Sequence, residues 1–226
     1  MLGEESSYVV KDTSDRNEDE FADHKPDLTM FHKELGRSAW EVDCPAKHAQ
    51  ESWDKARVCF AWSICLMEVK TTAREDLFVE EDGKTVFSTS NSGKRTREQI
   101  FRYVIELFLR QHREFAFIVL IVGQNARLTV WDRTGVITTE PFNYVHNVHP
   151  LLNFVYRLAK ADRAGQGFDT TVRPAEPQQI EELKAFKETR TNPYEREFIE
   201  EMLENPHLYP IQQVCTPAQY HVHSDS

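Results

Sequence analysis

The residues best placed to do chemistry are Glu68 and Lys70, which close the apolar run Cys65-Leu66-Met67-Glu68-Val69-Lys70. In a strand, side chains alternate, so Glu68 and Lys70 project from one face and Val69 from the other. A carboxylate and an ammonium at that spacing are consistent with a metal ion and its water, or with an ordinary strand-end ion pair. A second carboxylate precedes them at Pro26-Asp27, where proline opens an extended segment continuing through Leu28, Met30 and Phe31. Downstream, Gln99 and Tyr103 lie four apart and share one helix face. Asp27 and Glu68 on neighbouring strands suit a hard divalent cation such as Mg²⁺, which prefers oxygen ligands, stabilises phosphate charge and lowers the pKa of bound water. In that reading Asp27, Glu68 and Lys70 are catalytic, Asp27 and Glu68 are the metal ligands, and Gln99 and Tyr103 touch the substrate.

These side chains need elements to position them. The helix is predicted from an N-cap at Thr96, with Gln99 in a capping box, to about His112; its apolar positions are Ile100, Tyr103, Val104, Leu107 and Phe108. The strand leading into the Glu68–Lys70 pair is predicted over Val58–Val69. A second buried strand spans Phe115–Val122. A hairpin over Ala126–Asp132 and Val136–Pro141 turns at Arg133-Thr134-Gly135, and Asp82-Gly83 marks another turn between Phe78 and Val86. A short helix is expected over Pro150–Ala161. One or two helices are expected over Pro174–Glu204, broken before Pro193.

Around that core, Asp12 to Asp23 hold six acids against one Arg, so residues 1–23 read as an acidic flexible arm. Residues 33–56 read as a connection or insertion containing a short helix. The expected organisation is the arm at 1–23, an α/β domain over 24–172, and a helical, proline-containing tail over 173–226.

The formal net charge of -10 excludes a surface that is basic all over, but not a local or metal-assisted nucleic-acid groove. Four scattered cysteines make no disulfide framework, and no apolar run reaches bilayer-spanning length. An intracellular location, cytoplasmic or nuclear, with no membrane partner, is the expectation. The pairs His146/His149 and His221/His223 lack a cysteine or carboxylate in register and read as surface histidines. Lys94-Arg95-Thr96-Arg97 reads as a solvated basic turn or a phosphate contact at a helix start.

The order Pro26-Asp27, Glu68-Val69-Lys70, then Gln99 and Tyr103 resembles the PD-(D/E)xK nuclease superfamily in its RecB-like branch. That resemblance implies a restriction-endonuclease-like mixed sheet flanked by helices and Mg²⁺-dependent phosphodiester hydrolysis. Forty-one positions separate Asp27 from Glu68, so an insertion is implied, and the helical acid that often precedes Pro-Asp has no clear match. A second resemblance rests on Glu98-Gln99-Ile100-Phe101-Arg102-Tyr103, on Arg110-Gln111-His112-Arg113-Glu114-Phe115, on Ala126 to Gly135 and on Thr139-Glu140-Pro141-Phe142. These are similar to the region before the kinase core in fungal-type protein kinases, over roughly residues 24–172. It implies a nuclease-like regulatory or binding module whose partner is a kinase core or another protein.

The kinase catalytic motifs themselves are absent from these residues. Gly165-Gln166-Gly167 has no third glycine, no Asp-Phe-Gly occurs, and His112-Arg113-Glu114 carries Glu where the catalytic Asp would stand. The expectation is a fragment, or a product keeping only the front portion, that carries a kinase label by family membership without kinase activity.

Overall fold

Alternating apolar runs and one long amphipathic helix produce a mixed sheet with a helix on each face. The computed structural model describes residues 7–15, 25–41, 55–204 and 210–214. The chain divides into two compact units, residues 1–168 and 169–226.

In the first unit, seven strands of the described residues form one sheet. In chain order these are β1 (Tyr8–Asp12), β2 (Leu28–His32), β3 (Ser63–Lys70), β6 (Ala116–Val122), β7 (Asn125–Trp131), β8 (Val136–Thr138) and β9 (Phe142–Asn143). The spatial order is β1-β2-β3-β6-β7-β8, with β9 also on β7. All neighbours are antiparallel except β3 and β6, which run parallel with Cys65 opposite Phe117 and Lys70 opposite Val122. A parallel pair needs a crossover. Here it passes through the small hairpin β4 (Phe78–Glu81) and β5 (Lys84–Phe87), then α2 (Asn91–Arg110). The earlier helix α1 (Arg37–Trp40) is a single turn.

Strand parity decides which side each residue serves. Leu66 of β3 and Ile118, Leu120 and Val122 of β6 pack with Ile100, Tyr103, Val104 and Leu107 of α2. Cys65 and Met67 of β3 and Val119 and Ile121 of β6 face the other way. They pack with Leu151, Phe154, Val155 and Leu158 of α3 (His149–Lys160). Glu68 has the parity of Leu66 and therefore enters the α2 side.

The far end of the sheet is tied by Arg113, which is 1% exposed. Its guanidinium donates to the Ser63, Ile64 and Gln166 carbonyls and to Gln111 Oε1, and lies 3.9 Å from the Phe168 ring centroid. Burial lowers its pKa to about 9. Gly167 permits this closure: its φ is +90°, and a Cβ there would sit 2.1 Å from the Phe115 carbonyl oxygen.

The second unit pairs β10 (Val172–Pro174) with β11 (Gln212–Val214). Its helices α4 (Pro177–Thr189) and α5 (Pro193–Glu204) are bridged by Lys187 to Glu200 at 3.3 Å and Arg196 to Glu188 at 3.4 Å.

Several expectations change in detail. Tyr8–Asp12, assigned to a flexible arm, is an edge strand whose Val9 and Val10 face Phe31 and Met30; residues 1–6 and 16–23 lie outside the described residues. Phe60–Trp62 forms a 3₁₀ turn before β3, because Ser63 Oγ bonds back to the Cys59 carbonyl. The helix begins five residues before its predicted cap. Ser90, not Thr96, is the N-cap and accepts from Gly93 N at 3.0 Å. Thr96 is interior, bonded to the Ser92 carbonyl, and Gln99 serves no cap.

Candidate functional site

Five residues singled out by type and spacing converge at the carboxyl end of β3. Glu68 is buried, with 1% exposure. Lys70 Nζ donates to Glu68 Oε1 at 2.5 Å and to Gln99 Oε1 at 2.9 Å. Gln99 Nε2 donates to the Tyr103 hydroxyl at 2.6 Å. That hydroxyl lies 2.5 Å from the Lys25 carbonyl and 3.1 Å from Glu68 Oε2. Asp27, immediately before β2, accepts from the Val69 amide at 2.7 Å through Oδ2. The antiparallel register that sets Leu28 opposite Met67 carries Asp27 to the end of β3.

Each local choice follows from the chain. Pro26 and the Tyr103–Lys25 bond fix the entry to β2. The two-residue spacing of Glu68 and Lys70 keeps both on the α2 face. The four-residue spacing of Gln99 and Tyr103 stacks them along the helix toward that same face.

Electrostatically, Glu68 dominates. Its pKa rises from 4.5 to about 7, chiefly because burial penalises the carboxylate. The Lys70 hydrogen bond opposes that rise, and the charge of Asp27 adds to it. Tyr103 is also pushed upward, first by burial and then by Glu68. A phenol has one proton. Tyr103 directs it to the Lys25 carbonyl or to Glu68 Oε2, and the bond to Glu68 favours the carboxylate, opposing the rise as Lys70 does. A buried carboxyl raised in this way beside a charged partner is a feature concentrated at functional sites.

As a donor set, the cluster offers the oxygen ligand type that a hard divalent cation takes. It presents two carboxylates, and Asp27 Oδ1 has no partner among the described residues. No group of three or more His, Cys, Asp or Glu able to hold a metal occurs among the described residues, so the set is limited to this pair and neutral oxygens. The two described acids of the expected arm are committed elsewhere. Asp12 accepts from Ser14, and Asp15 pairs with Lys55.

The remaining motifs serve the fold. Arg113 of His112-Arg113-Glu114 ties the far end of the sheet, and Gln166 of Gly165-Gln166-Gly167 bonds Tyr8 and the Leu158 carbonyl. His146 and His149 are exposed; His221 and His223 lie outside the described residues. Sequence reasoning missed the Val69 amide and the Lys25 carbonyl as partners of the site. Main-chain groups have no residue signature, and only strand register could have pointed to them.

No helix of the described residues is long and apolar enough to cross a membrane. A family model described as fungal protein kinase matches residues 71–210. The match begins directly after Lys70; it contains Gln99 and Tyr103 but not Asp27, Glu68 or Lys70. No curated protein and no solved structure matches the chain.

Proposed function

The chain belongs to the fungal protein kinase family, and from that premise we propose that its first unit is a nuclease-like module of PD-(D/E)xK type. Its site binds Mg²⁺ through Asp27 and Glu68 and hydrolyses phosphodiesters. The observation that carries this reading is the closed chain of contacts from Lys70 through Glu68, Tyr103 and Gln99, with Asp27 at the adjoining strand start. The parallel β3–β6 pair, joined through α2 and flanked by antiparallel strands, suits the restriction-endonuclease-like arrangement.

The bound cation would supply Lewis-acid stabilisation of phosphate charge and a water of lowered pKa. The chain's own residues do the rest. Asp27, steadied by the Val69 amide, offers Oδ1. Glu68 holds Lys70 Nζ at the mouth of the site, where an ammonium orients a water and offsets charge growing on the phosphate. Gln99 fixes that ammonium from the helix side, and Tyr103 fixes Gln99. Phosphoryl transfer to protein is not assigned, because the kinase catalytic motifs are absent from these residues.

One observation favours a second reading, a regulatory or binding module. Both Glu68 oxygens already have protein partners, so the cluster is satisfied without a ligand. Calorimetric titration with Mg²⁺ and Mn²⁺, together with cleavage of single-stranded DNA, duplex DNA and RNA, separates the two. Cation-dependent cleavage that Lys70→Ala and Asp27→Asn abolish supports the nuclease. Intact nucleic acid under all conditions, or cleavage unchanged by Lys70→Ala, assigns the unit to the binding role.

A further inference from the structure

On the opposite face of the sheet, α3 turns one complete side to solvent. His149, Leu152, Asn153, Tyr156, Arg157 and Lys160 follow the spacing of a single helix face, and all six are exposed. The inward positions Leu151, Phe154, Val155 and Leu158 belong to the core. Leu152 is 47% and Tyr156 56% exposed, and Val145 at 59% and Val148 at 41% precede them in the sequence. Scattered single exposed apolar residues are ordinary; Leu152 and Tyr156, one helical turn apart, share one exposed face.

Part of this face borders a shallow, open groove. The groove, of about 640 Å³, is lined by Asn147, His149, Pro150, Leu152, Asn153 and Tyr156.

The stretch between Glu140 and Asp162 carries no acid. Residues 141–161 contain Arg157, Lys160 and two histidines but no Asp or Glu, in a chain of net charge -10. Neither Arg157 nor Lys160 has an ion-pair or ring partner among the described residues. Both complement the carboxyl end of the α3 dipole, which explains their place on the helix. It does not explain the missing acids or the apolar residues they continue.

We propose that this face docks an acidic, amphipathic polypeptide segment. One of its apolar side chains enters the groove between Leu152 and Tyr156, and its carboxylates meet Arg157 and Lys160. Charge complementarity selects an acidic partner. The two side-chain amides in the groove, Asn147 and Asn153, suit hydrogen bonding to a polypeptide better than contact with a lipid surface.

The test uses the full 226-residue chain and a labelled sixteen-residue probe peptide designed with Leu at i, i+3, i+4 and i+7 spacing and Glu elsewhere, a design choice following helix-in-groove recognition. Fluorescence anisotropy should show saturable binding that weakens about tenfold with Arg157→Glu/Lys160→Glu, a loss of roughly 1.4 kcal/mol. The same reversal should create binding to a Lys-substituted peptide. Leu152→Ser should abolish binding of either peptide while leaving the melting temperature unchanged. Absence of saturable binding, or affinity indifferent to the charge reversal, overturns the proposal. Capture by phosphatidylserine vesicles through these same residues, without peptide binding, also overturns it, because the face would then read a bilayer.

Discussion

Replacing Glu68 by Gln tests the electrostatic character of the site without touching its shape. Glu68 is almost wholly buried, so its burial cost is not relieved by solvent. A rise in pKa from 4.5 in the open chain to about 7 in the fold means that the folded state favours the neutral acid. The sign follows from proton linkage. The stabilisation from the neutral form is complete below about pH 4.5 and is lost as pH rises through 7. Across that window the wild type should lose roughly 3 kcal/mol. Gln reproduces the neutral acid's pattern, with an amide oxygen for Lys70 and an N–H for the Tyr103 oxygen. Glu68→Gln should therefore match the wild type at pH 4 and exceed it by about 3 kcal/mol at pH 8.5. For a unit of this size that is roughly 6–12 °C in melting temperature. Millimolar Mg²⁺ should close the gap by stabilising only the wild type, whose carboxylate it favours. Urea titrations at the two pH values, with and without Mg²⁺, measure both effects. A Gln variant less stable than the wild type at pH 8.5 would refute the reasoning, because the Lys70 ion pair would then outweigh the cost of burying the charge.

Two further substitutions test the far end of the sheet. Arg113→Leu removes the donor to the Ser63, Ile64 and Gln166 carbonyls and to Gln111, and should cost at least about 3 kcal/mol in denaturant titrations. Gly167→Ala forces a methyl against the Phe115 carbonyl at φ +90° and should lower stability by about 2 kcal/mol or more, measured as a drop in melting temperature.

The central elements were legible because their signals are strong and local. Continuous apolar character marked Phe115–Val122 and gave Ala116–Val122; Asp82-Gly83 marked the β4–β5 turn; Pro193 divided the last two helices. The start of α2 was not, since Ser90, Asn91, Ser92 and Gly93 are poor helix formers and their turn is held by one capping bond and by packing of Gly93 near Ser88. Short strands such as β9, β10 and β11 escaped because two or three residues carry no periodicity. Within the site, Gln99 was assigned a capping role that Ser90 fills; its side chain bonds Lys70 and Tyr103. The docking face of α3 was hidden because a helical pattern reveals which side is apolar, not which apolar residues stay uncovered.

The parallel pairing of β3 with β6 also governs the order in which the protein can assemble. Cys65 and Phe117 are partners across fifty-two positions. Closing a chain of that length costs roughly 3–4 kcal/mol before any contact repays it. The β6–β7 hairpin and α2 are local and cheap to form, so they are the natural early structures. Glu68 is buried only when β3 docks between β2 and β6, which places the carboxylate's desolvation late on the pathway. The site is thus completed by a long-range closure, and the amides of β3 should exchange with solvent only when the whole sheet opens.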